Sequence, residues 1–299
     1  RRRLTSMERW VMSDIYHITV IGAGTMGSGI ALTSVLAGKQ CTLIDVQDAQ
    51  LSSARVYHEK QLGKLVAKEK LTSEEAAQTQ SLLTYTTGMS DASLADWAIE
   101  AATESIDVKK KLFQLMRETF GEGVVLATNT SSISITDLAT AVEGAEHRVI
   151  GMHFFNPVPV MKLVEVIKGN NTSEATTKAT VELSEALGKI PVPANDFAGF
   201  VSNRVLMPMI NEAFHAWEDG VADPEAIDSI MKLGCAFPMG PLRLADYIGL
   251  DVCRDIMMVM YKGLDENPKY LPNQKLVELV EAGKLGDKSG AGVYDYTKE

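Results

Sequence analysis

In this 299-residue chain, His153 and Glu165 are the side chains whose types and setting point most directly to chemistry. His153 closes the apolar run Val149-Ile150-Gly151-Met152 and precedes Phe154-Phe155-Asn156-Pro157. An imidazole titrates near neutral pH, so at a strand end beside aromatic rings it can hold or release a proton. Glu165 stands within Lys162-Leu163-Val164-Glu165-Val166-Ile167, where a carboxylate is costly unless it has a partner. If its strand runs beside that of His153, Glu165 can bond the imidazole, select its tautomer and raise its basicity. A strand-edge His and a solvent-facing Glu in a period-two pattern fit the local sequence equally well. Ser132, closing Asn129-Thr130-Ser131-Ser132, offers a hydroxyl, although Ser/Thr runs also cap helices. Asn203, beside Arg204 near the start of a helix, offers either an amide for a ligand or a solvated position.

These residues need a scaffold, and the strongest signal for one comes early. Ile18-Thr19-Val20-Ile21 reads as a buried strand, followed by Gly22-Ala23-Gly24-Thr25-Met26-Gly27 and a helix from about residue 25. In such a turn Gly22 permits the sharp bend, Gly24 admits a pyrophosphate to the backbone, and Gly27 lets helix and strand pack closely. The N–H groups around Thr25 and Met26 then face the phosphates. A second strand over residues 40–44 ends in Asp45, roughly 20 residues on, where a carboxylate takes the ribose hydroxyls. Asp45 repels a ribose phosphate and no Arg follows it, so NAD is expected over NADP.

Downstream, helical and strand patterns alternate. Helices are expected over residues 49–70, after Thr72, over 107–120 and over 173–187. Strands are expected at 81–86, 96–101, 124–128, 149–153, 161–167 and 190–192. In an open sheet of this kind ligands lie beyond the carboxyl ends of the strands, where His153 and the 129–132 turn would fall. From Phe197 the pattern is helical throughout, with a long helix from Gly199 and another started by Asp223-Pro224. The expected architecture is therefore an α/β, Rossmann-type NAD-binding domain over residues 12–196 and an all-helical domain over 197–299. The Met-rich stretch 256–260 reads as core or a dimer surface.

Bulk properties narrow the function classes. A net charge of −10 argues against a nucleic-acid partner. No apolar run approaches the ~20 residues needed to span a bilayer. Cys41, Cys235 and Cys253 show no metal-like spacing and fit buried thiols in a reducing compartment, and no metal is expected. Arg1 to Ser6 are read as an extension ahead of a start at Met12 rather than an organelle-targeting tail, because Glu8 and Asp14 come early. Lys60, Lys64 and Lys68 recur every fourth residue with Lys70 beyond, which by periodicity alone is a solvated face balanced by Glu59 and Glu69.

Taken in order and spacing, Gly22-Ala23-Gly24-Thr25-Met26-Gly27, Asn129-Thr130-Ser131-Ser132, His153-Phe154-Phe155-Asn156-Pro157, Leu163-Val164-Glu165-Val166 and Gly199-Phe200-Val201-Ser202-Asn203-Arg204 resemble the 3-hydroxyacyl-CoA dehydrogenase family. The likeness is to its single-function branch, which includes 3-hydroxybutyryl-CoA dehydrogenases, and it runs from about Asp14 to the Tyr294-Asp295-Tyr296 ending. The resemblance implies oxidation of a short (S)-3-hydroxyacyl-CoA, with His153 as acid–base, Glu165 orienting it, and Ser132 and Asn203 on the substrate's oxygens. It further implies support from Asn156, cofactor contacts from Glu104, Lys109 and Asn129, CoA contacts from Lys64 and Lys68, and a homodimer through the helical domain. A bacterial cytoplasm is expected, or a mitochondrial matrix for a eukaryotic source. Two alternatives are a sugar-acid dehydrogenase of the gulonate type and a non-catalytic, crystallin-like relative.

Overall fold

The computed structural model describes residues 15–297, so the expected start at Met12 and the chain's first residues lie outside it. The described residues form two compact units that part between Asp196 and Phe197.

The first unit is built on an eight-stranded sheet in the order β3-β2-β1-β4-β5-β6-β7-β8. Its strands are β1 (His17–Ile21), β2 (Gln40–Ile44), β3 (Leu83–Thr86), β4 (Trp97–Glu100), β5 (Val125–Thr128), β6 (Val149–Phe154), β7 (Leu163–Lys168) and β8 (Ile190–Asn195). From β3 to β6 every pairing is parallel. The central strands β4 and β5 are buried at every position, as a sheet covered on both faces requires. The order reverses between β1 and β4, and the glycine turn after β1 opens at that crevice.

β7 runs antiparallel to β6, and β8 parallel to β7. β8 extends to Asn195, further than its sequence pattern suggests, and carries Pro191 and Pro193. Neither proline has an N–H to give, so this strand belongs at an edge. At the opposite edge, Ser81 ends a helix instead of starting β3. Here Thr72 and Glu75 form a reciprocal capping box that commits residues 73–81 to α3 (Ser73–Ser81).

Helix α1 (Thr25–Leu36) packs on β1 and β2, and α2 (Asp48–Ala67) packs on α1. α2 stops at Ala67, so Lys68 is its cap and Lys70 lies beyond it. Glu69 turns left-handed at φ 55°, and the Lys70 and Glu69 N–H groups bond back to Leu65 and Val66. The three lysines of the fourfold spacing therefore do not share one continuous helix, although Lys60, Lys64 and Lys68 are all exposed. Helices α4 (Ile106–Thr119), α5 (Ile135–Ala139) and α6 (Glu174–Ala186) complete the unit.

The second unit contains α7 (Ser202–Glu218), α8 (Pro224–Cys235), α9 (Pro241–Ile248), α10 (Leu250–Gly263) and α11 (Gln274–Glu281). Its core gathers Met207, Ile210, Phe214, Leu242, Leu250, Cys253, Met257, Met260 and Leu276. Two members of the Met-rich stretch are thus core. The first helix begins at Ser202, not Gly199: Gly199 and Phe200 both have positive φ, 80° and 48°, which a right-handed helix cannot include. One cysteine also departs from expectation. Cys41 and Cys253 are buried, but Cys235 ends α8 and is exposed. Burial raises the thiol pKa at both buried sites, to about 12 at Cys253.

Candidate active site

The glycine turn is held by backbone geometry that leaves no room for side chains at two of its positions. A Cβ on Gly27 would lie 1.8 Å from the Gly22 carbonyl oxygen, and one on Gly22 would lie 2.5 Å from that of Ala101. Gly24 is different: a Cβ there would meet nothing within 4 Å. Internal packing does not call for glycine at this position, whereas the close approach of a ligand does. The helix that follows has no side-chain cap and no acidic residue in its first turn, which leaves its N-terminal dipole available to an anion. Asp45, just past β2, accepts the Ala23 N–H at 2.8 Å and the Gln47 N–H at 2.9 Å. Its carboxylate is thereby fixed beside the turn, half-buried, with acceptor capacity left for hydroxyls.

Across the sheet, the antiparallel register of β6 and β7 sets His153 directly opposite Glu165. Glu165 Oε2 lies 2.7 Å from His153 Nδ1, with both side chains at least nine-tenths buried. A carboxylate only accepts, so Nδ1–H donates and the neutral ring carries its lone pair on Nε2. Phe155 packs on the imidazole with ring centroids 4.5 Å apart. Of the two readings the sequence left open, the paired one is the geometry observed. Asn129, past the end of β5, accepts the Phe154 N–H on its Oδ1 at 2.8 Å and so ties the β5 and β6 ends together. Asn156 is exposed and precedes a cis peptide bond to Pro157.

Ser132 does not cap the following helix; Ser134 does, accepting from Asp137 N–H. Instead the Ser132 hydroxyl donates to Glu104 Oε1 at 2.9 Å. The same oxygen accepts the Thr130 hydroxyl and the Ser131 N–H. Glu104 Oε2 lies 3.5 Å from the Lys109 ammonium. Burial works against the Glu104 charge, but Lys109 and these hydrogen bonds outweigh it and hold the carboxyl below its ordinary range.

Lys109 is itself buried. Its ammonium reaches both oxygens of Glu100 at 2.7 Å, and Glu100 also accepts from the Ala102 N–H and the Thr128 hydroxyl. Glu100 was not singled out from the sequence. The available signal was a carboxylate ending an apolar strand with a lysine nine residues later. Asn203, the second residue of α7, is buried. Lys64 and Lys68 stand exposed at the end of α2. Among the described residues, no group of three or more His, Cys, Asp or Glu is placed to hold a metal ion.

Residues 17–197 match the domain described as 3-hydroxyacyl-CoA dehydrogenase, NAD binding domain, and residues 199–296 match the C-terminal domain of the same enzymes. The chain belongs to the 3-hydroxyacyl-CoA dehydrogenase family. It is an NAD-dependent oxidoreductase, and the open Gly24 position and the fixed Asp45 carboxylate fit that cofactor. It is 49% identical to a probable 3-hydroxybutyryl-CoA dehydrogenase of Deinococcus radiodurans, over 93% of this chain and 99% of that one. Identity to the human mitochondrial hydroxyacyl-coenzyme A dehydrogenase is 41%, covering 94% and 91% of the two chains. The crystal structure of (S)-3-hydroxybutyryl-CoA dehydrogenase from Ralstonia eutropha superposes with a TM-score of 0.92 at 46% identity, covering 95% of this chain and all of that one.

Proposed function

We propose that the enzyme interconverts a short-chain (S)-3-hydroxyacyl-CoA, such as 3-hydroxybutyryl-CoA, and its 3-ketoacyl-CoA. The observation that carries this reading is the buried His153–Glu165 pair, which lies at the carboxyl end of β6, the same edge of the sheet as the glycine turn. When bound, NAD supplies the acceptor for the hydride of C3. His153 takes the 3-hydroxyl proton on Nε2 during oxidation and returns it during reduction. Glu165 holds the ring in the productive tautomer and stabilises the imidazolium. Ser132 and Asn203 hydrogen-bond the substrate's oxygens, and Asn156 supports the same site. Gly22, Gly24, Thr25, Met26, Gly27, Asp45, Glu104, Lys109 and Asn129 serve the cofactor.

Lys64 and Lys68 offer cations for the phosphates of the CoA arm in an otherwise acidic chain. The helical unit supplies the contact of a homodimer, a reading supported by Ile230 and Leu233, which stand 61% and 87% exposed on α8. Higher identity to the bacterial relatives than to the human one favours a bacterial cytoplasm.

The test follows NADH oxidation with acetoacetyl-CoA, free acetoacetate and a keto sugar acid, in wild type and His153→Ala. Turnover with the thioester alone is expected, lower by about 10²–10⁴-fold in the variant, while NAD still binds. Turnover with the free acids would move the assignment to the sugar-acid dehydrogenases. No turnover with any of the three would favour the non-catalytic reading.

A further inference from the structure

The turn that leaves β6 beyond His153 is built against the helix that follows the glycine turn. Residues 157–161 close on themselves, since the Val160 and Met161 N–H groups both donate to the Pro157 carbonyl, at 2.9 and 3.0 Å. Val158 is buried and sits on α1 where the helix carries no side chain. A Cβ on Gly29 would lie 2.8 Å from Val158 Cβ and 3.0 Å from its Cγ2. Any larger residue at position 29 would force the turn and the helix apart. From the other side, the Lys189 ammonium donates to the Val158 carbonyl and, at 2.9 Å, to that of Met161. Lys189 is itself buried, and an ammonium taken out of water needs such acceptors. Val158 is therefore held at its side chain by α1 and at its carbonyl by the lysine that leads into β8.

We propose that Val158 is a positioning residue: seated on Gly29 and held there by Lys189, it sets the spacing between the cofactor-bearing start of α1 and the imidazole of His153. That spacing matters because C3 must meet the nicotinamide while its oxygen meets His153 Nε2, and the two transfers succeed only when both approaches are short and aligned. Gly29 stands two residues past Gly27, and Val158 five past His153, so the contact joins the two halves of the site at close range. This inference rests on the 3-hydroxyacyl-CoA reading and on His153 as its acid–base.

The experiment is a single-turnover reduction of saturating acetoacetyl-CoA by NADH, with enzyme in saturating excess over NADH, followed by the loss of NADH absorbance. Under those conditions the rate constant does not depend on how much of the enzyme is folded. Val158→Ala removes the footing on Gly29, and Lys189→Met removes the hold on the two carbonyls. Each should lower the rate constant by about 10- to 100-fold, as a displacement of about 1 Å can do, with the Kd for NADH unchanged. Because both act on one turn, the double variant should lose less than the product of the two single losses. A wild-type rate constant in either single variant would overturn the proposal, as would losses that multiply in full. Loss of folded enzyme or of NADH binding in place of a slower step would overturn it too, by making the contact a matter of stability alone. A wild type that does not reduce acetoacetyl-CoA is a separate result, and it would count against the proposed substrate class itself.

Discussion

At the level of single side chains, the chemistry condenses into two clusters, one buried and one centred on the partly exposed Glu104. In one, His153 is oriented by Glu165 at 2.7 Å. In the other, Glu104 gathers three donors while Lys109 neutralises part of its charge. Glu165→Gln keeps an acceptor for the imidazole N–H but removes the charge that stabilises imidazolium. The expected result is a fall in kcat of about 10- to 100-fold, since hydrogen bonds to charged groups are worth about 1.5–3 kcal/mol. Steady-state kinetics should show that fall, while titration shows NAD affinity unchanged. A variant as active as wild type would mean that the carboxylate's charge contributes nothing to the proton transfer. Neither cluster could be assembled from the sequence alone. His153 and Glu165 were visible as candidates, but their pairing depended on β7 turning antiparallel to β6 in one register. Slipping that register by a single residue would send Glu165 to the other face of the sheet.

Among the elements, the glycine turn and the helices around it carry the clearest consequences. Gly24→Ala adds a methyl where nothing lies within 4 Å, so it should leave Tm unchanged and weaken NAD binding. Gly27→Ala places a Cβ 1.8 Å from the Gly22 carbonyl, so it should also lower stability, by about 1–3 kcal/mol, the usual range for overpacking. Thermal melts with and without NAD separate the two cases. Beneath the turn, His58 on α2 receives the Tyr85 hydroxyl on Nδ1 and donates from Nε2 to the Ser28 carbonyl on α1, each at 2.8 Å.

Burial lowers the His58 pKa below 6.5, with the Ser28 bond opposing that shift only in part. Its folded pKa therefore lies below its unfolded one, and below pH 6.5 the unfolded chain takes up a proton that the folded chain resists. Stability attributable to His58 is present above that pH and is lost as the pH falls toward the folded value. A plot of Tm against pH should be flatter on its acid side for His58→Gln, which can keep one donor and one acceptor in place. An unchanged slope would assign the acid sensitivity elsewhere. In this region the element order followed from local rules: glycines, apolar periodicity and the Thr72–Glu75 capping box. The boundaries that departed from the sequence reading did so through backbone conformation, as where Gly199 and Phe200 delay α7.

For the chain as a whole, the division between Asp196 and Phe197 separates a sheet that carries the cofactor turn and His153 from a helical unit that carries Asn203. On that helical unit, α8 buries Ile227 and turns Ile230 and Leu233 outward. If this face is part of the dimer contact, Leu233→Glu should lower the sedimentation coefficient to that of a monomer at concentrations where the wild type is dimeric. A wild type that sediments as a monomer, or a variant that still pairs, would remove α8 from the interface. No helix among the described residues is long and apolar enough to cross a membrane.

The sequence by itself determined the succession of strands and helices, the turn built for NAD and the family, because these depend on residues near one another in the chain. Local sterics require Gly22 and Gly27, and an apolar period of two or 3.6 declares its element before any partner is known. What the tertiary structure alone decided is which distant groups meet. Glu104 and Ser132 are separated by 28 residues, and nothing in either segment specifies that one oxygen should receive three donors. Lys109, which the family resemblance implies as a cofactor contact, is buried with its ammonium against both oxygens of Glu100, and removing either partner would leave an uncompensated buried charge. Strand register and the pairing of buried charges are properties of the assembled sheet, and they govern the orientation of every catalytic candidate in this unit.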